Sequence, residues 1–318
     1  MKTYHKTLLS LAALVTIAAC SSGGSDSAGS GVIGIDSENW HARNFSCEEQ
    51  TLAWEDVNDW YYQLQFMDYL ELSQTQYDMI VMDPEPNEPL NSNVIDRIRC
   101  DGEGEKKLVA YLPIGKAENF REYWQDGWSV GNPEWIASRN GSFEGEFLVR
   151  YWDPEWKSII LGSPDARLDK IIAAGFDGVV LDGVDSYSMR LTENPNAITD
   201  LAQFISEIKS YAVEQSGDSD FGIFVQNTEE LISNSSVNWA EQLHGIVKLS
   251  PFYEPVNKGV TNDLRSWYDF QLQQWVGNGK LVFSVDFASN PDTIADAHSQ
   301  ASQRGYIPVT VPLSLIHI

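Results

Sequence analysis

From about residue 54 the chain alternates short apolar runs with stretches of helical spacing. The runs are Tyr61–Phe66, Tyr77–Asp83, Leu108–Gly115, Phe176–Leu181, Phe221–Gln226, His244–Lys248, Leu281–Asp286 and Tyr306–Thr310. Most are apolar at consecutive positions rather than alternate ones, which is the pattern of a strand buried on both faces in a parallel sheet. Between them, Leu201, Phe204, Ile205, Ile208 and Ala212 keep one helical face, so a helix is predicted over Thr199–Glu214. Further helices are predicted over Val94–Arg99, over Asp263–Val276 with Gly277 at its end, and over Thr293–Arg304 with Gly305 at its end. Ile159, Ile160, Ile171 and Ile172 mark a helical region interrupted near Gly162 and Pro164. Phe147–Trp152 also looks extended and is placed as an excursion over the mouth, between strands three and four.

Eight strands alternating with helices predict an α/β fold, a single (β/α)₈ TIM barrel. An open doubly wound sheet is the alternative. Such sheets use a glycine-rich turn between strand and helix, and none occurs in this region. Gly29-Ser-Gly31-Val-Ile-Gly34 matches the dinucleotide pattern formally, but no strand precedes it.

Composition changes the picture at the two ends. Residues 1–19 read as a lipoprotein signal peptide: Lys2, His5 and Lys6 precede the apolar run Leu8–Ala19, which is too short to span a bilayer. Ile17-Ala-Ala-Cys20 looks like a lipobox, so Cys20 is expected to carry a lipid. Ser21 follows it rather than an acid, which favours the outer membrane. Residues 20–45 read as the lipidated cysteine and a flexible tether, and 46–312 as the barrel. Residues 313–318, Leu313-Ser-Leu-Ile-His-Ile318, equal the translation of a transposase end used in sequencing libraries. They read as an adapter artefact with a truncated C-terminus, so His317 receives no role. Cys47 and Cys100 are compatible with one disulfide in an exported chain, or with two free thiols.

The formal charge of −25 is spread along the chain and disfavours nucleic acid and other polyanions as partners. A neutral or cationic substrate suits it. In a barrel the acids that end strands share one mouth. Here these are Asp83, Glu118, Asp182, Asp185, Glu229, Glu230, Glu254 and Asp286. Tyr111, Trp124, Tyr151, Trp152 and Tyr187 sit near the same strand ends, and such rings stack on sugars. Acids with aromatics point to carbohydrate, and glycoside cleavage needs two carboxyl groups about the scissile bond. No Gly-x-Ser-x-Gly elbow and no His-Glu-x-x-His occurs, and His41, His244 and His298 lack metal-like spacing. No cofactor and no metal is expected; a divalent ion on Asp83, Asp182 and Asp286 is the metal alternative.

Four strings carry a resemblance. They are Ala110-Tyr-Leu-Pro-Ile-Gly-Lys-Ala-Glu-Asn-Phe-Arg121, Val149-Arg-Tyr-Trp-Asp-Pro-Glu-Trp156, Gly175-Phe-Asp-Gly-Val-Val-Leu-Asp-Gly-Val-Asp-Ser-Tyr187 and Val225-Gln-Asn-Thr-Glu-Glu-Leu231. In their order and extent, from about Trp54 to Pro312, they resemble glycoside hydrolase family 114, the relatives of endo-α-1,4-polygalactosaminidase. The resemblance implies a (β/α)₈ barrel that hydrolyses galactosamine-containing polysaccharide. It implies that Asp182 is the principal catalytic carboxylate, with the second acid just after strand six. Here that region reads Val247-Lys-Leu-Ser-Pro-Phe-Tyr253, with no acid before Glu254. Lys116 and Asn119 also depart from the family's Gly-Glu-Ala-Glu-Asp after strand three. Glu254, Glu118 or Glu229 is left as the second acid. Asp83, Tyr111, Trp124, Tyr151, Trp152, Asp185, Tyr187, Asn227, Glu229 and Asp286 are expected to bind substrate. The expected protein is a lipid-anchored hydrolase of an amino-sugar polysaccharide. The alternative is a carbohydrate-binding barrel without catalysis.

Overall fold

The apolar runs become eight parallel strands. The computed structural model describes residues 52–85, 90–100, 105–141, 143–234 and 236–315. The strands are β1 (Trp60–Gln63), β2 (Met79–Met82), β3 (Lys107–Pro113), β4 (Gly178–Asp182), β5 (Gly222–Gln226), β6 (Gly245–Leu249), β7 (Leu281–Asp286) and β8 (Ile307–Thr310). They are hydrogen-bonded side by side in chain order. The indole of Trp60 in β1 donates to the Ile307 carbonyl of β8 at 3.0 Å, which brings the first and last strands together. This is the (β/α)₈ barrel that the alternation predicts, not the open sheet.

Because every strand is covered on both faces, it feeds two cores. Residues of one parity point into the barrel: Trp60, Tyr62, Val81, Val109, Tyr111, Val180, Phe224, Val247, Phe283 and Val285. Those of the other parity, such as Ile80, Leu108, Val179, Leu181, Ile223, Ile246 and Val282, pack under the helices. The barrel interior is closed by aromatic contacts, with Trp60 against Phe283 at 4.9 Å and Trp54 edge-on to Phe224 at 5.1 Å. Such pairs add to area burial because edges and faces of the rings carry opposite partial charge.

The outer layer is α1 (Tyr69–Ser73), α2 (Ser92–Cys100), α3 (Pro154–Ile160), α4 (Arg167–Ala174), α5 (Ser186–Arg190), α6 (Ala197–Ser216), α7 (Trp239–Gln242), α8 (Asn262–Gly277) and α9 (Pro291–Ser302). Their starts follow capping chemistry. Asp68, Asp153, Thr261 and Asn290 each accept a hydrogen bond from the first turn, and Pro154 and Pro291 occupy the first helical position. The helical region near Gly162 and Pro164 is two helices, α3 and α4.

The excursion after β3 is a three-stranded antiparallel sheet. Glu146–Val149 lies between Lys116–Glu118 and Ile136–Arg139. Its aromatic face packs as a cluster, with Trp124 stacked on Phe147 at 4.8 Å and Trp135 against Trp156 at 4.9 Å. The indole of Trp156 donates to Ile114 O at 2.8 Å, tying the excursion to the end of β3.

Cys100 is disulfide-bonded, and its partner lies outside the described residues. Cys20, Cys47, the signal peptide, the tether and His317 also lie outside them. Among the described residues no helix is long and apolar enough to cross a membrane.

Candidate active site

The carboxyl ends of the strands surround a cavity of about 420 Å³. Asp182 reaches it because it is in step with Val180, the inward-facing set of β4. Tyr111 is in step with Val109, and Gln226 with Phe224, so both also face inward and line the cavity. The excursion supplies Lys116, Asn140 and Glu146, and the turn after β4 supplies Gly183 and Asp185.

One close approach holds the centre. The Ile114 and Gly115 N–H groups donate to the Asp182 carbonyl at 2.9 and 3.2 Å. A Cβ on Gly115 would lie 1.8 Å from the Gly183 carbonyl oxygen. Only glycine permits this contact, and the contact sets Lys116 beside Asp182.

Asp182 Oδ2 accepts a hydrogen bond from the Tyr111 hydroxyl at 2.5 Å and lies 3.1 Å from Lys116 Nζ. Burial by itself would raise the carboxyl. Lys116, the Tyr111 hydroxyl and the Gly183 N–H together more than offset it, so its pKa falls below the ordinary value. Asp182 is therefore held as a carboxylate. Lys116 also pairs with Glu146 at 2.7 Å and stands 4.0 Å from Glu118. It is held charged by these three acids against the burial that opposes it.

Asp185 is exposed by area, yet its carboxyl stands among groups that strip its water. That desolvation first, and the charge of Asp182 second, raise its pKa. It precedes α5 without a side-chain hydrogen bond to the helix, so it is not spent as a cap. The turn after β4 therefore carries one carboxyl whose pKa is lowered and one whose pKa is raised. Separated biases of this kind define acid and base roles.

The other predicted acids go elsewhere. Glu118 has no exposed surface; its carboxylate is held by Arg121 Nε at 2.6 Å. Arg121 holds Asp83 at 2.8 Å, also in the interior. Both stand behind the cavity wall rather than in it. Glu229 is buried and pairs with Lys248 at 3.3 Å. Glu254 lies on a small hairpin, paired with Lys258 at 2.5 Å, and does not line the cavity. Asp286 has the parity of Val282, the outward set; its Oδ1 accepts from the Phe252 and Tyr253 N–H groups at 2.9 and 2.7 Å. Asp83, Asp182 and Asp286 are thus not gathered around one point. Among the described residues no group of three or more His, Cys, Asp or Glu is arranged to hold a metal ion.

The aromatics divide similarly. Tyr111 lines the cavity. Tyr151 is a core residue whose hydroxyl donates to Ala197 O at 2.7 Å, and Trp152 packs edge-on against it. Trp124 belongs to the excursion's cluster, and Tyr187 donates to Glu230 at 3.1 Å beside the cavity. Asn227 lines the cavity, and its side-chain oxygen accepts from Leu249 N at 3.1 Å. At strand six, Lys248 has the parity of Ile246 and turns outward, lying 4.0 Å over the Tyr268 ring. The strand-six residues that do reach the mouth are Leu249 and Ser250, neither of them an acid. Residues missed by the sequence reading are Glu146, Gln226 and Asn140. Glu146 and Asn140 arrive through the antiparallel excursion, and no strand-end signal marks them.

A parallel eight-stranded barrel with three carboxyl groups in its mouth, Asp182, Asp185 and Glu146, has the build of a barrel hydrolase of glycosides. The sequence comparison carries this further. The model of glycoside-hydrolase family GH114 matches residues 44–315, and the chain belongs to that family. It is thereby a glycoside hydrolase. An uncharacterized protein of Deinococcus radiodurans is 32% identical over 241 residues, covering 75% of this chain and 74% of that protein. The glycoside hydrolase domain of PelA from Pseudomonas aeruginosa shares the fold at a TM-score of 0.61 and 18% identity, covering 82% of this chain and 96% of that one. Ega3 of Aspergillus fumigatus, solved in complex with galactosamine, does so at 0.60 and 17%, covering 84% of this chain and 97% of that one.

Proposed function

We propose that this glycoside hydrolase cleaves a galactosamine-containing polysaccharide in the mouth of the barrel. Asp182 acts as the ionised carboxylate and Asp185 as the proton-bearing partner. The observation that carries this is the opposite pKa shift of Asp182 and Asp185 on one turn at the cavity, while Glu146, the third acid there, is tied to Lys116. Glycoside cleavage requires a proton for the departing oxygen and a negative group to meet the positive charge on the sugar carbon. Asp185 is suited to the first and Asp182, kept charged by Lys116 and Tyr111, to the second. This places the partner acid on the same turn as Asp182 rather than at Glu118 or Glu254.

The substrate class is supported by the excess of acid in the mouth, Asp182, Asp185 and Glu146 against Lys116, which suits a cationic sugar, and by the galactosamine bound to Ega3. Export on a lipid anchor at Cys20, to the outer membrane, is part of the same reading; it supposes a substrate outside the cytoplasm. Labelling with a radioactive fatty acid tests the anchor, and Cys20→Ala is expected to lose the label.

Incubation with a partly deacetylated galactosamine polymer is expected to release oligosaccharides. Asp182→Asn is expected to abolish release, and Asp185→Asn to reduce it at least a hundredfold. Release by Asp182→Asn at the wild-type rate would remove Asp182 from the mechanism. Tight binding without product would favour the carbohydrate-binding alternative, toward which the non-acidic end of β6 points.

A further inference from the structure

A second cavity, also of about 420 Å³, opens on the flank of the barrel between the excursion and helices α3 and α4. Tyr123, Trp128, Trp135, Ile159 and Arg167 are among its walls, and none of these lines the mouth. Arg167, the first residue of α4, is 2% exposed. Its Nε, Nη1 and Nη2 make no hydrogen bond. Its ionic neighbour is Glu85, at 3.8 Å, and its guanidinium lies 5.7 Å over the Tyr123 ring. A guanidinium carries five N–H donors in a fixed fork. Leaving all of them unmet in the interior is costly, because each has given up water without a replacement. Two other buried cations here, Lys116 and Arg121, pair closely with carboxylates, and Arg121 leaves only Nη2 unmet. Arg167 differs in leaving all three of its nitrogens unmet, and it lines a cavity with an aromatic wall.

The rim narrows the chemistry of what could fill it. Glu85, Glu122, Glu155 and Asp165 outnumber Arg167 and Lys170. Lys170 is already paired with Glu122 at 2.7 Å. Glu155 and Asp165 pair with no cation among the described residues. An anion would be repelled by this rim, and an apolar ligand would leave the guanidinium unmet. A saccharide with a free amine answers every part. Its hydroxyl oxygens accept from Arg167, its ring lies against Trp128, and its ammonium meets Glu155 and Asp165.

We propose that the flank cavity is a second saccharide site, separate from the mouth, that takes an amino-sugar unit. The choice of an amino sugar rests on the function proposed above; the unmet guanidinium and the aromatic wall do not.

The test uses the full barrel carrying Asp182→Asn, titrated calorimetrically with galactosamine oligosaccharides and with galactose oligosaccharides as the uncharged control. Binding that weakens at least tenfold on Trp128→Ala, and again on Arg167→Gln, is expected. Amino-sugar oligomers should bind more tightly than the control. Circular dichroism checks that each variant is folded; Trp128 is only half-buried, so its variant remains informative if Arg167→Gln unfolds. Affinity and stoichiometry unchanged by Trp128→Ala would overturn the proposal. Product release reads Asp182, and saccharide affinity reads Trp128. A failure of the mouth mechanism therefore leaves the flank result readable, and the converse also holds.

Discussion

Asp286→Asn is expected to change how stability depends on pH, while leaving the fold intact. Asp286 ends β7 on the outward side, 1% exposed, and burial pushes its carboxyl from an ordinary 3.8 up to about 7. The two backbone N–H groups that bond to Oδ1 pull the other way without cancelling the burial. That change in proton affinity corresponds to about 4 kcal/mol, at roughly 1.36 kcal/mol per tenfold. The sign follows from proton binding. Between about pH 4 and pH 7 the unfolded chain has lost this proton and the folded chain has kept it, so unfolding releases a proton. The native state is therefore favoured at the acid end of the window, and this contribution is lost as pH rises through about 7. An asparagine keeps the acceptor for both N–H groups and cannot ionise. The stability of Asp286→Asn relative to wild type should therefore rise by about 4 kcal/mol from pH 4 to pH 8. Other acids titrate in the same window, and the difference between the two proteins removes them. Urea denaturation at half-unit pH intervals measures it. A difference that stays constant across the window would refute the argument.

Three further outcomes are expected. Lys116→Gln removes the cation that holds Asp182 ionised, so the acid limb of the pH–rate profile should move to higher pH; an unmoved limb would show that Lys116 does not set the charge of Asp182. Arg121→Met leaves Glu118 and Asp83 buried without their cation and should cost about 3–5 kcal/mol in chemical denaturation; a loss below about 1 kcal/mol would mean that the pair is satisfied by other means. Gly115→Ala forces apart the backbone contact with Gly183, should cost about 1–3 kcal/mol and should lower kcat more than it raises KM, because it separates Lys116 from Asp182; wild-type stability together with wild-type kcat would contradict the role given to that contact.

Much of the site was legible as a set of strand ends, and much less as a set of contacts. Acids follow β2, β3, β4, β5, β6 and β7 in the sequence, and the barrel does bring those ends to one side. Strand parity then sorted them. Asp182 shares the phase of Val180 and faces in, whereas Asp286 shares the phase of Val282 and faces out. In strands that are apolar on both faces, hydrophobicity does not reveal which phase is inward. Glu118 and Asp83 were lost to the mouth for a different reason. Arg121, in the loop after β3, pairs with both, and no local pattern couples residues 83 and 121. Tyr151 and Trp124 look like sugar platforms in the sequence, but Tyr151 packs in the core with its hydroxyl on Ala197 O, and Trp124 packs into the excursion's cluster.

The sequence by itself determined the number and order of the strands, the longer helices α2, α6, α8 and α9, the extended excursion and Asp182 at the end of β4. These follow from local periodicity, capping and turn chemistry, each decided within some ten to twenty residues. Only the tertiary structure decided which acids share the cavity, that Lys116 and Tyr111 hold Asp182 ionised, and that Arg167 faces a separate cavity with its donors unmet. Protonation and pairing depend on burial and on partners far apart in the chain, and those distances exist only once the barrel has closed.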